Sequence, residues 1–268
     1  MARRKSRRDT RDTRESRDTR ESRDGRINQQ IATKSKKNKT AESNRGLLNK
    51  VVAKTAGQEA LIEAIEQNEI VICNGPAGTG KTFISFGEAL DHYFQGFSKR
   101  IIIVRPTLAA GDDDNIGYLP GDLYEKMSPF LAPLMRDSAP QLLKPEIFRS
   151  FGDRNVMDPM LSLLTKIDIE VVPLAFIRGR TFNDCFCILD EAQNCTAKDL
   201  KLFLTRIGRG TKTIIEGDST QSDRDNSGLV EVMQRLHGME QVGIVQLTEV
   251  DIIRNPLISQ ILRRLADD

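Results

Sequence analysis

The sequence predicts an α/β domain, a mostly parallel sheet with helices on both faces, behind a basic arm that has no core of its own. Three observations predict this. Short β-rich runs alternate with helix-periodic stretches from residue 47 onward. A glycine-rich loop joins one such strand to one such helix. Charge is also segregated: residues 1–46 hold 16 Lys+Arg and 7 Asp+Glu, and residues 47–268 hold the remaining 24 and 31. The net charge of +2 therefore conceals a basic arm on an acidic body.

The arm, residues 1–46, contains no Leu, Val, Phe, Tyr or Trp, and its large aliphatics are Ile27 and Ile31. Such a segment buries too little apolar surface to offset roughly 1–2 kcal/mol per residue of backbone ordering, so it is expected to be disordered in isolation. Arg recurs at 8, 11, 14, 17, 20 and 23, each followed by an acid and then Thr or Ser in all but the last unit. Lys34, Lys36, Lys37 and Lys39 cluster with little acid nearby, and this half is the better candidate for a phosphate backbone. No aromatic residue is interleaved there, so base stacking is not expected.

In the body, residues 47–268, the expected strands are Ile70–Cys73, Ile101–Val104, Ile169–Val172, Cys185–Leu189, Thr213–Ile215 and Val242–Leu247. Phe83, Phe86, Leu90 and Tyr93 recur at helical spacing. So do Leu200, Phe203, Leu204 and Ile207, with Thr196 as N-cap and Gly208 just past the end. Leu229–Leu236 and Ile258–Leu265 repeat the pattern. Residues 105–165 are rich in proline and read as an insertion of loops and short helices.

Composition excludes several function classes. No apolar run approaches the ~20 residues that span a bilayer, and no export signal opens the chain, so the cytoplasm is the default location. His92 and His237 are the only imidazoles, which argues against histidine triads and His-rich metal centres. Cys73, Cys185 and Cys187 sit in strand-like runs and are expected to be reduced, buried thiols.

Gly75-Pro76-Ala77-Gly78-Thr79-Gly80-Lys81-Thr82 fits G-x-x-x-x-G-K-[ST], after an apolar strand and before an amphipathic helix. Glycines let backbone N–H groups converge on phosphate oxygens, and the helix N-terminus adds favourable partial charge. Lys81 is placed to reach the β- and γ-phosphates, and the Thr82 hydroxyl to ligate Mg²⁺. Phe186–Leu189 leads into Asp190-Glu191 at the end of another strand. Parallel strands bring such ends to one edge, where Asp190 would hold Mg²⁺ and Glu191 would activate the attacking water. A third strand ends in Gly217-Asp218-Ser219-Thr220-Gln221, which offers a glutamine to sense the γ-phosphate.

With these motifs the chain resembles the PhoH-like family of phosphate-starvation ATPases, related to superfamily-one helicases, from about Gln58 to Leu265. Further signals are Arg105-Pro106, Gly117–Asp122, Ile177–Thr181, Ile188–Asn194, Phe203–Gly208 and Gly217-Asp218 with Gln221. The resemblance implies a RecA-like P-loop NTPase fold that uses ATP and Mg²⁺. It implies that Gln58 reads adenine, that Gln221 senses the γ-phosphate, and that Arg254, ending the run Asp251–Arg254, acts as an arginine finger. Arg178 and Arg180 are further candidates for the nucleotide's charge. The chain departs from the family's pattern at Asn255, at Ser222–Asn226 and at Asp112–Asp114. The resemblance is to a stand-alone form without a nuclease-like PIN domain, so ribonuclease activity is not expected.

The expected reaction is Mg²⁺-dependent ATP hydrolysis coupled to RNA or single-stranded nucleic acid. An ATP-gated regulatory module without strand separation is the alternative. A small-molecule kinase shares the loop but fits the other motifs less well. About 220 residues make a single core of this type, so a homo-oligomer is expected, with a head-to-tail ring, hexameric as its candidate form, supplying an arginine across the cleft.

Overall fold

The computed structural model divides into two units, Met1–Gly46 and Leu47–Asp268. It describes residues 48–106, 133–145, 147, 167–221, 227–253 and 264, all in the second unit. Readings of the basic arm, of Gly117–Asp122, of Ser222–Asn226, of Arg254 and of the Ile258–Leu265 pattern fall largely or wholly outside these residues.

The six expected strands are observed as β1 (Ile70–Asn74), β2 (Arg100–Arg105), β3 (Ile169–Pro173), β4 (Cys185–Leu189), β5 (Lys212–Gly217) and β6 (Val242–Gln246). All pair in parallel, in the order β3-β2-β4-β5-β1-β6. Their near-continuous apolar runs follow from burial on both faces. Alternate residues feed two cores. Ile101, Ile103, Phe186, Ile188 and Ile214 face one side with Phe86 and Leu90. Ile102, Val104, Cys187, Leu189 and Ile215 face the other with Leu200, Phe203 and Leu229.

The first core is covered by α1 (Ala56–Gln67) and α2 (Lys81–Phe94). Sequence periodicity did not single out α1. Its N-cap is Thr55, whose hydroxyl accepts from Gln58 N, and Leu61 and Ile65 are its buried stripe. A short stretch, Pro133–Ser138, runs into α3 (Ala139–Leu142) on the same side. The second core is covered by α4 (Ala197–Leu204) and α5 (Gly228–Leu236). Thr196 caps α4 as expected, in a reciprocal capping box with Asp199. The helix stops at Leu204, before Ile207, because Ile207 is drawn into a bridge with Phe182, and Gly208 N donates to Phe182 O at 2.7 Å. All four cysteines are free and buried.

Strand order positions the site. β1 and β2 follow each other in sequence, yet β5 and β4 lie between them. The C-terminal ends of β1, β5, β4 and β2 therefore stand in a row, with neighbours about 4.8 Å apart. This is the edge at which open α/β sheets bind ligands.

Candidate nucleotide-binding site

The phosphate loop grows from the end of β1. Gly78 and Gly80 take φ of 87° and 83°, left-handed values that suit glycine. A Cβ on Gly75 would lie 2.6 Å from Leu247 Cβ, so the loop needs glycine there to pass β6. α2 begins with neither a side-chain cap nor an acid in its first turn. Its leading N–H groups are thus left for an anion. The Lys81 ammonium donates to Gly75 O at 2.6 Å and Pro76 O at 3.0 Å. Thr79 is internal to the loop and donates its hydroxyl to Pro76 O at 2.9 Å.

Gln58 is 3% exposed and braces this loop. Its amide donates to Thr79 O at 2.8 Å and accepts from Lys54 N at 2.8 Å. The run read as leading to a finger also converges here. Asp251 accepts from the Thr55 hydroxyl at 2.7 Å, from Gly57 N at 3.2 Å and from Thr248 N at 2.9 Å. It therefore tethers the start of α1, and Ile253 N donates to Gly78 O at 3.2 Å. Burial acts to raise the Asp251 pKa, but the hydrogen bonds from Thr55, Thr248 and Gly57 prevail and lower it.

Opposite the loop, Asp190 and Glu191 follow β4 directly. Glu191 holds φ 57°, a left-handed conformation that costs a non-glycine residue about 1–3 kcal/mol and recurs at functional sites. Its N–H donates to Asp190 Oδ1 at 2.9 Å. Both of its own oxygens are held. Arg105, from the end of β2, donates to Glu191 Oε1 at 2.7 Å and lies 3.4 Å from Asp190 Oδ2. Gln193 donates to Glu191 Oε2 at 2.6 Å and accepts from Asp218 N at 3.1 Å. Burial raises the Asp190 pKa, with Glu191 adding to the rise and Arg105 and Lys81 opposing it.

β5 supplies the connection between the two sides. Asp218 accepts from Ala77 N at 2.9 Å and from the Thr220 hydroxyl at 2.6 Å. Glu216, one residue before Gly217, is 1% exposed. Burial first, and the nearby Asp190 charge second, push its pKa up to about 8.

Gln58, Lys81, Thr82, Arg105, Asp190, Glu191 and Gln221 all line one cavity of about 610 Å³. Gln221 is exposed there, with its N–H on Asp218 O at 3.0 Å. Arg178 and Arg180 are not among the described residues that line it. Arg178 is exposed, and Arg180 pairs with Glu170 at 2.8 Å, its guanidinium 5.3 Å from the Phe182 ring. Sequence reasoning did not find the bonds of Arg105 and Gln193 to Glu191, the Asp218 contact to the loop, or the burial of Glu216. Adjacent strand ends in one sheet are the signal that would have found them.

The donors suit a hard cation. Thr82 offers a hydroxyl and Asp190 a carboxylate, and Glu216 Oε1 is buried without a hydrogen-bond partner among the described residues. Oxygen ligands in small number favour Mg²⁺ completed by phosphate oxygens. The described residues hold no cluster of three or more His, Cys, Asp or Glu placed to hold a metal ion. No helix among the described residues is long and apolar enough to cross a membrane.

Comparison with known proteins agrees with the motif reading. The family model described as PhoH-like protein matches residues 50–266. A PhoH-like protein of Bacillus subtilis is 39% identical over 212 residues, covering 78% of this chain and 62% of that one. A PhoH-like protein of Mycobacterium tuberculosis is 41% identical over 212 residues, covering 78% and 56%. Protein PhoH of Escherichia coli is 35% identical over 223 residues, covering 79% and 57%. The chain thus spans about three fifths of the length of these relatives. Among solved structures, the large terminase of a thermophilic bacteriophage in complex with ADP aligns with a TM-score of 0.43 and 11% identity, over 79% of this chain and 50% of that one, a likeness too slight to carry an argument. On the family match and the identities to these relatives, the chain belongs to the PhoH family.

Proposed function

We propose that the chain hydrolyses ATP with Mg²⁺ and couples turnover to RNA or another single-stranded nucleic acid. The observation that carries this reading is the shared cavity, in which the Lys81 loop faces Asp190 and Glu191 across the end of β5. Lys81 and the α2 amides bind the β- and γ-phosphates once the ammonium leaves the loop carbonyls. Thr82 and Asp190 would hold a Mg²⁺ ion, which would supply positive charge to the phosphates. Glu191 orients the attacking water and takes its proton. Gln221 contacts the γ-phosphate from the open rim. Gln58 supports the loop from behind, and the edge of its amide left over from Thr79 and Lys54 meets the adenine.

Among the described residues Arg105 is the one arginine lining the cavity, and it is engaged with both acids. This supports a finger arginine from elsewhere, either Arg254 or Arg178 or Arg180 of a neighbouring copy in a homo-oligomeric ring, with a hexamer as the candidate form. The basic arm and the exposed Arg178 are the candidates for the nucleic-acid backbone.

Turnover measured with and without single-stranded RNA tests the coupling. The expected result is stimulation at low salt that disappears at high salt. No change at low salt would remove the nucleic acid from the reading while leaving the ATPase. A second reading, an ATP-gated binding module, is favoured by the double hold on Glu191, since a base with both oxygens occupied turns over slowly until released. Its mark is nucleotide-dependent retention of a partner without strand separation.

A further inference from the structure

Glu216 stands out among the buried acids. It lies on β5, the strand between the Asp190 strand and the phosphate-loop strand, in register with Cys73 of β1. Its side chain faces α2, where the Ser85 hydroxyl donates to Oε2 at 2.7 Å. Thr82 precedes Ser85 by three residues, so both lie on one face of α2, with Thr82 a turn nearer the phosphate loop. Oε1 has no hydrogen-bond partner among the described residues. Buried polar atoms are almost always paired, and one left open calls for an explanation.

Ligand chemistry supplies one. A threonine hydroxyl that ligates a cation uses an oxygen lone pair, so its proton must go to an acceptor on the far side. Each Asp190 oxygen already faces a partner, Oδ1 accepting from Glu191 N and Oδ2 facing the Arg105 guanidinium, and the lone pairs left over are those read as meeting the cation. Glu216 Oε1 is the acceptor that remains.

We propose that Glu216 is a positioning residue for Thr82, its open oxygen taking the hydroxyl proton so that the lone pairs of Thr82 turn toward a metal ion held with the nucleotide phosphates. The proposal rests on the reading of Thr82 as a metal ligand. Thr82 already lies close enough to act on Glu216: burial and the Asp190 charge raise the acid's pKa, and the Ser85 hydroxyl, Lys81 and the Thr82 hydroxyl work against that rise.

The test is the affinity of the full chain for a fluorescent ATP analogue in Mg²⁺ and in EDTA, for four variants whose folding is checked by thermal unfolding. Thr82→Val sets the scale by losing the gain that Mg²⁺ gives. Glu216→Met removes the acceptor at similar volume. It is expected to cut the gain from Mg²⁺ by about 10–100-fold, the usual effect of losing an outer-shell partner, with affinity in EDTA unchanged. Glu216→Gln keeps an accepting oxygen for Thr82 and a donor for Ser85, and is expected to retain the gain within about twofold. The double variant Thr82→Val/Glu216→Met is expected to be no worse than Thr82→Val alone. Should Glu216→Met not fold, Glu216→Ala carries the same expectation.

Equal losses in Glu216→Gln and Glu216→Met overturn the proposal, because the acid then acts through its charge. So does a full gain from Mg²⁺ in Glu216→Met, which leaves Glu216 a structural role alone. If Thr82→Val keeps the gain, the metal reading itself falls and takes the proposal with it.

Discussion

The phosphate loop and the acidic side of the cavity face each other across β5, and they are held by different means. The loop is made of contiguous residues, Gly75–Thr82, with internal bonds such as Lys81 to Gly75 O and Thr79 to Pro76 O, and it is braced from outside by Gln58, Asp218 and Ile253 N. The acidic side is assembled from the ends of β2, β4 and β5, with Arg105 bonded to Glu191 across 86 residues of sequence. A contiguous loop binds through backbone groups and tolerates changes around it. An assembled side depends on each strand end, so single changes there are expected to separate nucleotide binding from turnover.

The largest break falls on the loop. Lys81→Met should lower ATP turnover by about 10³-fold or more if the ammonium binds the phosphates as proposed. Turnover near the wild-type rate would mean that phosphate is bound elsewhere.

Arg105 sharpens the other side. It is the counter-charge to two adjacent carboxylates, and the Asp190 side chain is only 13% exposed. Arg105→Ala should cost about 1–3 kcal/mol of unfolding free energy in denaturant titration. It should change turnover more than ATP affinity. An equal loss of both would place Arg105 on the nucleotide rather than on Glu191.

Smaller effects come from the acids under the site, and pH separates them. The lowered pKa of Asp251 contributes stability that is present above the ordinary carboxylate range and is lost as pH falls through the depressed value. Asp251→Asn should therefore be less stable by about 1 kcal/mol at pH 7 and should lose less than the wild type on acidification. Glu216 has the opposite sign. Its pKa of about 8 means that the folded state keeps a proton the unfolded state releases above about 4.5, so its contribution falls as pH rises through that window. Replacing it with Met should raise the melting temperature more at pH 8 than at pH 4.5.

The smallest effect is expected far from the cavity. Thr196→Ala removes the α4 cap and should cost about 0.5–2 kcal/mol while leaving nucleotide affinity unchanged.

The same contrast accounts for what the sequence revealed. The loop is eight consecutive residues with correct flanks, and the strands are uninterrupted apolar runs, so both could be read directly. Asp190-Glu191 could be read because a strand leads into it. Glu216 could not, since a glutamate before Gly217 reads as a solvated strand end. It is buried only because β5 is inserted between β4 and β1 beneath α2. Asp251 was read only as part of the run ending at Arg254, yet it tethers the start of α1, a contact formed across 194 residues. Gln58 carried a motif reading, but its bond to Thr79 O depends on how α1 packs behind the loop.

The central claim is that Glu191, on the assembled side, activates water for a nucleotide held by the contiguous side. The direct measurement compares ATP affinity and single-turnover hydrolysis in Glu191→Gln and the wild type. Glutamine keeps the shape, and its amide oxygen can still accept from Arg105 or Gln193, but it cannot take a proton. The expected result is ATP bound with affinity within a few fold of wild type and hydrolysis slower by about 10²–10⁴-fold. Hydrolysis at the wild-type rate would contradict the assignment.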